Sequence, residues 1–224
     1  GQLGNMVEEL RQVNMDLKVL STALQQGVMS LRKVSVAGLF SKLQRVARTL
    51  AGQLGKQIEV HVSGEETEID KHLSEDLEAP LVHLVRNVVD HGIESPEDRA
   101  AQGKPATVNL YLEAKQVKNR VVIVVRDDGR GMDPARLRAK ALEKEILSAA
   151  EAAALSDEES LQLIFRPGFS TAQKVSEVSG RGVGMDVVRT AVQVHGGQVH
   201  VESQLGQGSS IRLEVPMRLP LIHH

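Results

Sequence analysis

Cysteine is absent from this chain of 224 residues, which excludes disulfides and thiolate metal sites and fits a reducing compartment. Tryptophan is absent too, and one Tyr with three Phe bring the aromatic share to 2%. The core must therefore be built from Leu, Val, Ile and Ala, and the composition argues against base stacking on single-stranded nucleic acid. Neither sign of charge is in excess: 27 Lys and Arg face 29 Asp and Glu, for a formal net charge of -2. Nothing global draws the chain onto DNA or an anionic membrane. No run of 18 apolar residues and no signal-like segment occurs, so no direct membrane insertion and a cytoplasmic location are expected.

What is present is 41% hydrophobic and 25% charged, enough for one ordinary domain plus an accessory segment. Gly1 and the abrupt Leu221-Ile222-His223-His224 end read as the edges of a piece of a larger protein.

Met6, Leu10, Val13, Leu17, Leu20, Leu24, Val28 and Leu31 recur mostly three and four apart, the spacing of a helix with one apolar seam. Such a seam packs on its own domain or on a second helix. Leu39, Leu43, Val46, Leu50 and Leu54 predict another helix, ended by Gly55-Lys56. The period then changes to two at Ile58, Val60 and Val62, which predicts a strand. A helix over about 73–91 carries Leu77, Leu81, Leu84, Val85 and Val88 on one face, with His83, Asn87 and His91 turned away from it. Residues 108–113 and 121–126 predict a hairpin through Lys118-Asn119, residues 133–165 are helical in composition, and 166–182 read as a loop. A helix from Met185 to about His195 ends at Gly196-Gly197, and a last hairpin turns at Gly206-Gln207-Gly208.

Three patterns carry chemistry. A valine-rich strand ends in Asp127-Asp128-Gly129-Arg130-Gly131, so a carboxylate acceptor suited to an adenine amino group precedes two alternate glycines that let backbone approach a base. Gly180-Arg181-Gly182-Val183-Gly184 opens the helix at Met185, where free N–H groups and the positive helix end suit phosphates. Asn87, on the stripe with His83 and His91, offers an amide oxygen to Mg²⁺, whose octahedron water and phosphate oxygens would complete. Each pattern has a plainer reading: a solvated helix face, a turn-capping aspartate, a glycine linker. Met185 stands where G-x-G-x-x-G needs its third glycine, and neither Gly55-Lys56-Gln57 nor Gly103-Lys104-Pro105 continues as a P-loop.

Taken in order, the boxes Leu84 to Glu94, Asp127 to Gly131, Phe165 to Thr171 and Val175 to Asp186 resemble the ATP-binding domain of bacterial histidine kinases in the GHKL superfamily, and among these the CheA family of chemotaxis kinases. The resemblance runs from about Val28 to Leu221. It implies an α+β fold, a Bergerat-type two-layer α/β sandwich with a mixed sheet and helices on one face, preceded by an N-terminal helical segment. The division is 1–33, resembling part of the dimerisation hairpin, and 34–221, the catalytic domain. By position Asp127 matches the adenine-recognising aspartate, Asn87 the magnesium ligand, and Gly180, Gly182, Val183, Gly184 and Met185 the phosphate loop and its helix. His83, Asp90 and His91 match positions beside the phosphates, Gly129 and Gly131 the turn under the base, and Ser209 a hydroxyl near it. Phe165 and Phe169 match the aromatic box that hinges a lid.

The implied activity is transfer of the γ-phosphoryl of Mg-ATP to a histidine, with ATP and Mg²⁺ as cofactors. The implied partners are a histidine phosphotransfer domain of the same or another chain, a response regulator, a CheW-like adaptor through a further C-terminal domain, and a second copy through the N-terminal helix. The first helix of the dimerisation hairpin is not evident here. Two other functions use the same pocket: an ATPase clamp of the gyrase or MutL kind, and a non-enzymatic module that senses nucleotide through its lid. The clamp enzymes place a Glu four residues before the Asn to activate water, and that position here is His83.

Overall fold

The structure, a computed structural model, describes residues 2–30, 32–169 and 184–217. It opens with α1 (Gln2–Ser30), an unbroken helix whose seam residues Met6, Leu10, Val13, Leu17, Leu20 and Leu24 are all more than half exposed. Two three-residue strands, β1 (Lys33–Ser35) and β3 (Glu68–Asp70), pair antiparallel. They are too short for a hydrophobic period to reveal.

Between them α2 (Ala37–Gln53) buries Leu39, Phe40, Leu43, Ala47 and Ala51 and turns Lys42, Arg45 and Arg48 to solvent, as its period of 3.6 requires. It ends before Gly55, whose φ of 66° makes the turn into β2 (Ile58–Ser63).

Asp70 caps α3 (Lys71–Asn87) by accepting from the His72 and Leu73 amides at 2.8 and 3.2 Å. The α-helix stops at Asn87 rather than running to His91, and Val88–Gly92 forms a π-helical turn. Widening the helix changes which carbonyls are satisfied internally, and Lys56 Nζ donates to those of Val89 and Asp90 at 2.7 and 2.8 Å.

After α4 (Pro96–Ala101) comes the predicted hairpin, longer at both strands: β4 (Val108–Val117) and β5 (Arg120–Asp127). The single helical region expected over 133–165 is instead α5 (Pro134–Glu143), α6 (Ala149–Ala154), α7 (Asp157–Leu161) and a 3₁₀ turn at Gln162–Phe165. Capping boxes at Ser148/Glu151 and Ser156/Glu159 start α6 and α7 afresh. Last come α8 (Met185–Val194), β6 (Gln198–Gln204) and β7 (Gly208–Pro216).

Five strands form one sheet in the order β2-β4-β5-β7-β6, with β2 parallel to β4 and every other pair antiparallel. The mixed sheet and its preceding helix bear out the expected architecture. Val108, Leu110, Leu112, Ile123, Val125, Ile211 and Leu213 face a core shared with Phe40, Leu43, Leu77, Leu81, Val188 and Val192 of α2, α3 and α8. On the other face Tyr111 stacks on His61, ring centroids 4.8 Å apart, with the Arg126 guanidinium 4.0 Å from the Tyr111 ring centre. Among the described residues no helix is long and apolar enough to cross a membrane.

Candidate functional site

β5 sits in the middle of the sheet and carries Asp127 at its end, only 8% exposed. Asp127 lines a cavity of about 430 Å³ whose walls come from α3, the sheet, the 3₁₀ turn and the start of α8. Asp127 Oδ1 accepts from the Gly129 amide at 2.9 Å, and Ser209 lies directly across the β5–β7 ladder. Burial pushes the Asp127 carboxyl up to about 6; the amides of Gly129 and Ser209 pull it down, while the charges of Asp128 and Glu94 push it further up. A carboxylate held this way gains from a ligand donor that replaces lost water.

The rest of the lining is largely apolar, including Leu84, Val125, Met132, Ile164, Phe169, Met185 and Ile211. Such walls suit a flat heteroaromatic ring whose amino group reaches the acid. Toward solvent the lining becomes polar: His83 and Asn87 are half-buried, and the His91 side chain is 78% exposed. Asn87 Nδ2 lies 3.1 Å from His83 Nε2. An amide nitrogen only donates, so His83 Nε2 is the acceptor and the ring carries its proton on Nδ1. Burial lowers the His83 pKa from its ordinary value, and the charge of Arg86 lowers it further, so the ring stays neutral at pH 7 and keeps accepting. His91 meets the Asp90 carboxylate at 3.3 Å.

Of the residues predicted from sequence, the cavity brings together His83, Asn87, His91, Asp127, Gly131, Met185 and Ser209. Asp90 and Gly129 are not in its lining. Gly129 has another demand on its size: a Cβ there would strike the Gly92 carbonyl, which accepts from the Arg130 amide at 2.8 Å. The turn after β5 is thus docked on the end of the π turn, and this close approach needs glycine. Gly131, at φ 70°, would place a Cβ on the Gln204 carbonyl. Gly184 is the N-cap position of α8; Gly180, Gly182 and Val183 lie outside the described residues. Phe165 and Phe169 are both buried, and the Lys140 amine stands 4.8 Å from the Phe169 ring centre.

Sequence reasoning missed the charged cluster that holds the Asp127 turn. Glu94 and Arg99 are 0% and 1% exposed. Arg99 donates to Glu94 at 3.1 Å, to the Asp128 carbonyl at 3.1 Å and to the Pro105 carbonyl at 2.6 Å. Lys104, set aside above as a failed P-loop lysine, donates to Glu94 at 2.7 Å and to the Gly129 carbonyl at 2.9 Å. Asp128 in turn accepts from the Asn109 amide and side chain, both at 3.0 Å. Burial opposes the Glu94 charge, yet the hydrogen bond from Lys104 and the charges of Lys104 and Arg99 hold its pKa below the ordinary value. The spacing from Glu94 to Arg99 and Lys104 matches no helical or strand period, so no sequence rule flagged it.

The sequence profile described as histidine kinase-, DNA gyrase B- and HSP90-like ATPase matches residues 76–219. Among curated proteins, the chain is 45% identical over 216 residues to the sensor histidine kinase CheAY of Helicobacter pylori, covering 96% of this chain and 27% of that protein. It is 44% identical over 220 residues to the chemotaxis protein CheA of Treponema pallidum, covering 98% of this chain and 27% of that one. The chain therefore spans about a quarter of the length of these relatives. The catalytic domain of the histidine kinase ThkA superposes with a TM-score of 0.50 at 15% identity, covering 83% of this chain and 94% of that domain, which concerns the fold alone.

Proposed function

The chain belongs to the family of histidine kinase-, DNA gyrase B- and HSP90-like ATPases, and from that premise we propose that it is the ATP-binding catalytic domain of a CheA-like chemotaxis histidine kinase. Its reaction is transfer of the γ-phosphoryl of ATP to a histidine on a separate phosphotransfer domain. The observation that carries the reading is Asp127, a buried acid on an apolar floor, in one cavity with the neutral His83 and Asn87 pair.

In this reading Asp127 accepts from the adenine amino group, with Ser209 beside it, and the apolar walls hold the ring. The triphosphate then extends toward His83, Asn87 and His91, where exposure rises. Asn87 fits a magnesium ligand because its Nδ2 is engaged by His83, which leaves Oδ1 as its acceptor atom. Among the described residues no group of three His, Cys, Asp or Glu could hold a metal, so the phosphates and water would supply the remaining ligands. Bound Mg²⁺ supplies neutralisation of phosphate charge. This chain otherwise positions: an acceptor imidazole nitrogen bonds to the γ-phosphorus, the bond to the bridging oxygen breaks, and ADP departs with that electron pair.

His83 also argues against a hydrolytic clamp. A base for water is needed at that place, and a hydrogen-bonded imidazole whose accepting nitrogen is occupied by Asn87 does not serve. His83→Glu that leaves ATP hydrolysis as slow as before would weaken this argument.

The reading also includes the division at 1–33 and 34–221, a cytoplasmic setting where ATP is supplied, and pairing of two copies through the exposed α1 seam. A response regulator and a CheW-like adaptor would act through parts of the larger protein. The test is incubation with γ-labelled ATP, Mg²⁺ and a histidine phosphotransfer domain in trans. Acid-labile, base-stable label on that domain supports the kinase; nucleotide binding without any label on it favours a sensing module.

A further inference from the structure

A second, solvent-facing groove of about 260 Å³ runs between α2 and α3, lined by Lys42, Arg45, Val46, Leu50 and Arg86 among others. Its charge is one-sided. α2 contains three cations, Lys42, Arg45 and Arg48, and no acidic residue, although the whole chain carries a net charge of -2. Lys42 is paired with Glu78 at 2.6 Å. Arg45 and Arg86, both exposed, have no acidic partner among the described residues. Val46 and Leu50 give the groove an apolar floor, so it offers both halves of a protein contact: desolvated centre and charged rim.

Its position ties it to the nucleotide cavity. α3 serves both, lending His83 and Asn87 to the cavity and Arg86 to the groove, and Arg86 is near enough for its charge to lower the His83 pKa. His83 and Asn87 belong to the end of the cavity that opens to solvent, while Asp127 closes the other. A domain that brings a nucleophile to the terminal phosphate must stand over that open end. The surface it would meet on the α3 side is the cationic groove.

We propose that this groove docks the phosphoacceptor domain through an acidic, partly apolar helix face. The inference rests on the kinase reading and names where its protein substrate binds. Arg45 and Arg86 give attraction and orientation, and Val46 and Leu50 give the contact that excludes water.

The test uses the full chain and, as probe, an isolated histidine phosphotransfer domain, labelled for fluorescence anisotropy in the presence of a non-hydrolysable ATP analogue. Arg45→Glu, and separately Arg86→Glu, should weaken binding of that domain by about tenfold and flatten its salt dependence. For Arg45→Glu, affinity for the ATP analogue should stay unchanged, which shows an intact fold and pocket. Recovery of binding when an acidic residue of the probe is changed to Lys would support direct contact. Equal binding by wild type and both variants, or no binding to wild type at all, overturns the groove. Probe binding that depends on Arg45 while no phosphate is ever transferred supports the groove and overturns the kinase reading instead.

Discussion

Asp127 stands opposite Ser209 in the last register pair between β5 and β7, so this buried acid is positioned by the sheet ladder and not by a loose loop. Its backbone is crowded as well: a Cβ on Gly208 would strike the Asp127 carbonyl. The acid is held where burial makes its charge unfavourable, and the cost of that charge is the starting point for two predictions.

Asp127→Asn should weaken ATP binding by about 1.5–3 kcal/mol, the range for a hydrogen bond to a charged group, and yet stabilise the empty protein. Burial raises the folded-state pKa from 3.8 to about 6, so the folded form binds this proton more tightly than the unfolded chain. The destabilisation therefore sets in as pH rises from about 4 to about 6 and is complete at pH 7, where it amounts to about 3 kcal/mol. Calorimetric titration and urea unfolding at pH 7.5 check the two halves. Loss of binding together with loss of stability would point to misfolding.

The same carboxyl gives nucleotide affinity a pH dependence. A protonated Asp127 must give up its proton to accept from an adenine amino group, so affinity should fall below pH 6 by up to about tenfold per pH unit. His83, with its lowered pKa, takes up its proton below its ordinary range and then no longer accepts from Asn87. Both effects have the same sign. An affinity flat between pH 5 and 7.5 would contradict the adenine assignment.

Asn87→Ala should remove the Mg²⁺ dependence of ATP binding and leave adenosine binding nearly unchanged. Titrations of ATP and adenosine, each with and without Mg²⁺, separate the outcomes. A variant whose ATP affinity still rises with Mg²⁺ would show that the ion is held without Asn87.

Arg99→Met should cost about 3–5 kcal/mol, because it strips a buried carboxylate of one of its two cations. Glu94 would keep Lys104 at 2.7 Å, so Glu94→Gln added to Arg99→Met should return part of the loss. The readout is the urea midpoint of the single and double variants. Additive losses would mean that the two residues do not act as a unit.

The helices and strands of the main sheet were legible because their periods are long and regular: Leu77, Leu81, Leu84 and Val85 announce α3, and the valine run announces β5. Boundaries were less legible. Nothing local in Val88-Val89-Asp90-His91-Gly92 distinguishes a π turn from an α turn; the distinguishing contact is made by Lys56, more than 30 residues earlier in sequence. The cavity's polar residues were legible from spacing and resemblance, since side chains on one helix face stay together. Apart from Met185 and Phe169, its apolar walls were not. Met132, in the loop before α5, and Ile164, in the 3₁₀ turn, meet only in the folded chain. The Glu94, Arg99 and Lys104 cluster stayed hidden for the same reason, since Asn109 of β4 and Asp128 just past the end of β5 complete it.

The turn at Lys118 and Asn119 joins β4 to β5 at the end of the strand away from Asp127, an eight-residue strand's length from the cavity, or roughly 24 Å. Lys118 adopts φ 56°, a conformation that a Gly or Asn would take with less strain. With no cysteine and no tryptophan in the chain, Lys118→Cys would create one unique thiol, and Asn119→Trp one unique tryptophan. The hairpin tip is thus a natural attachment point for a reporter dye or a surface tether, at the far end of β5 from the cavity.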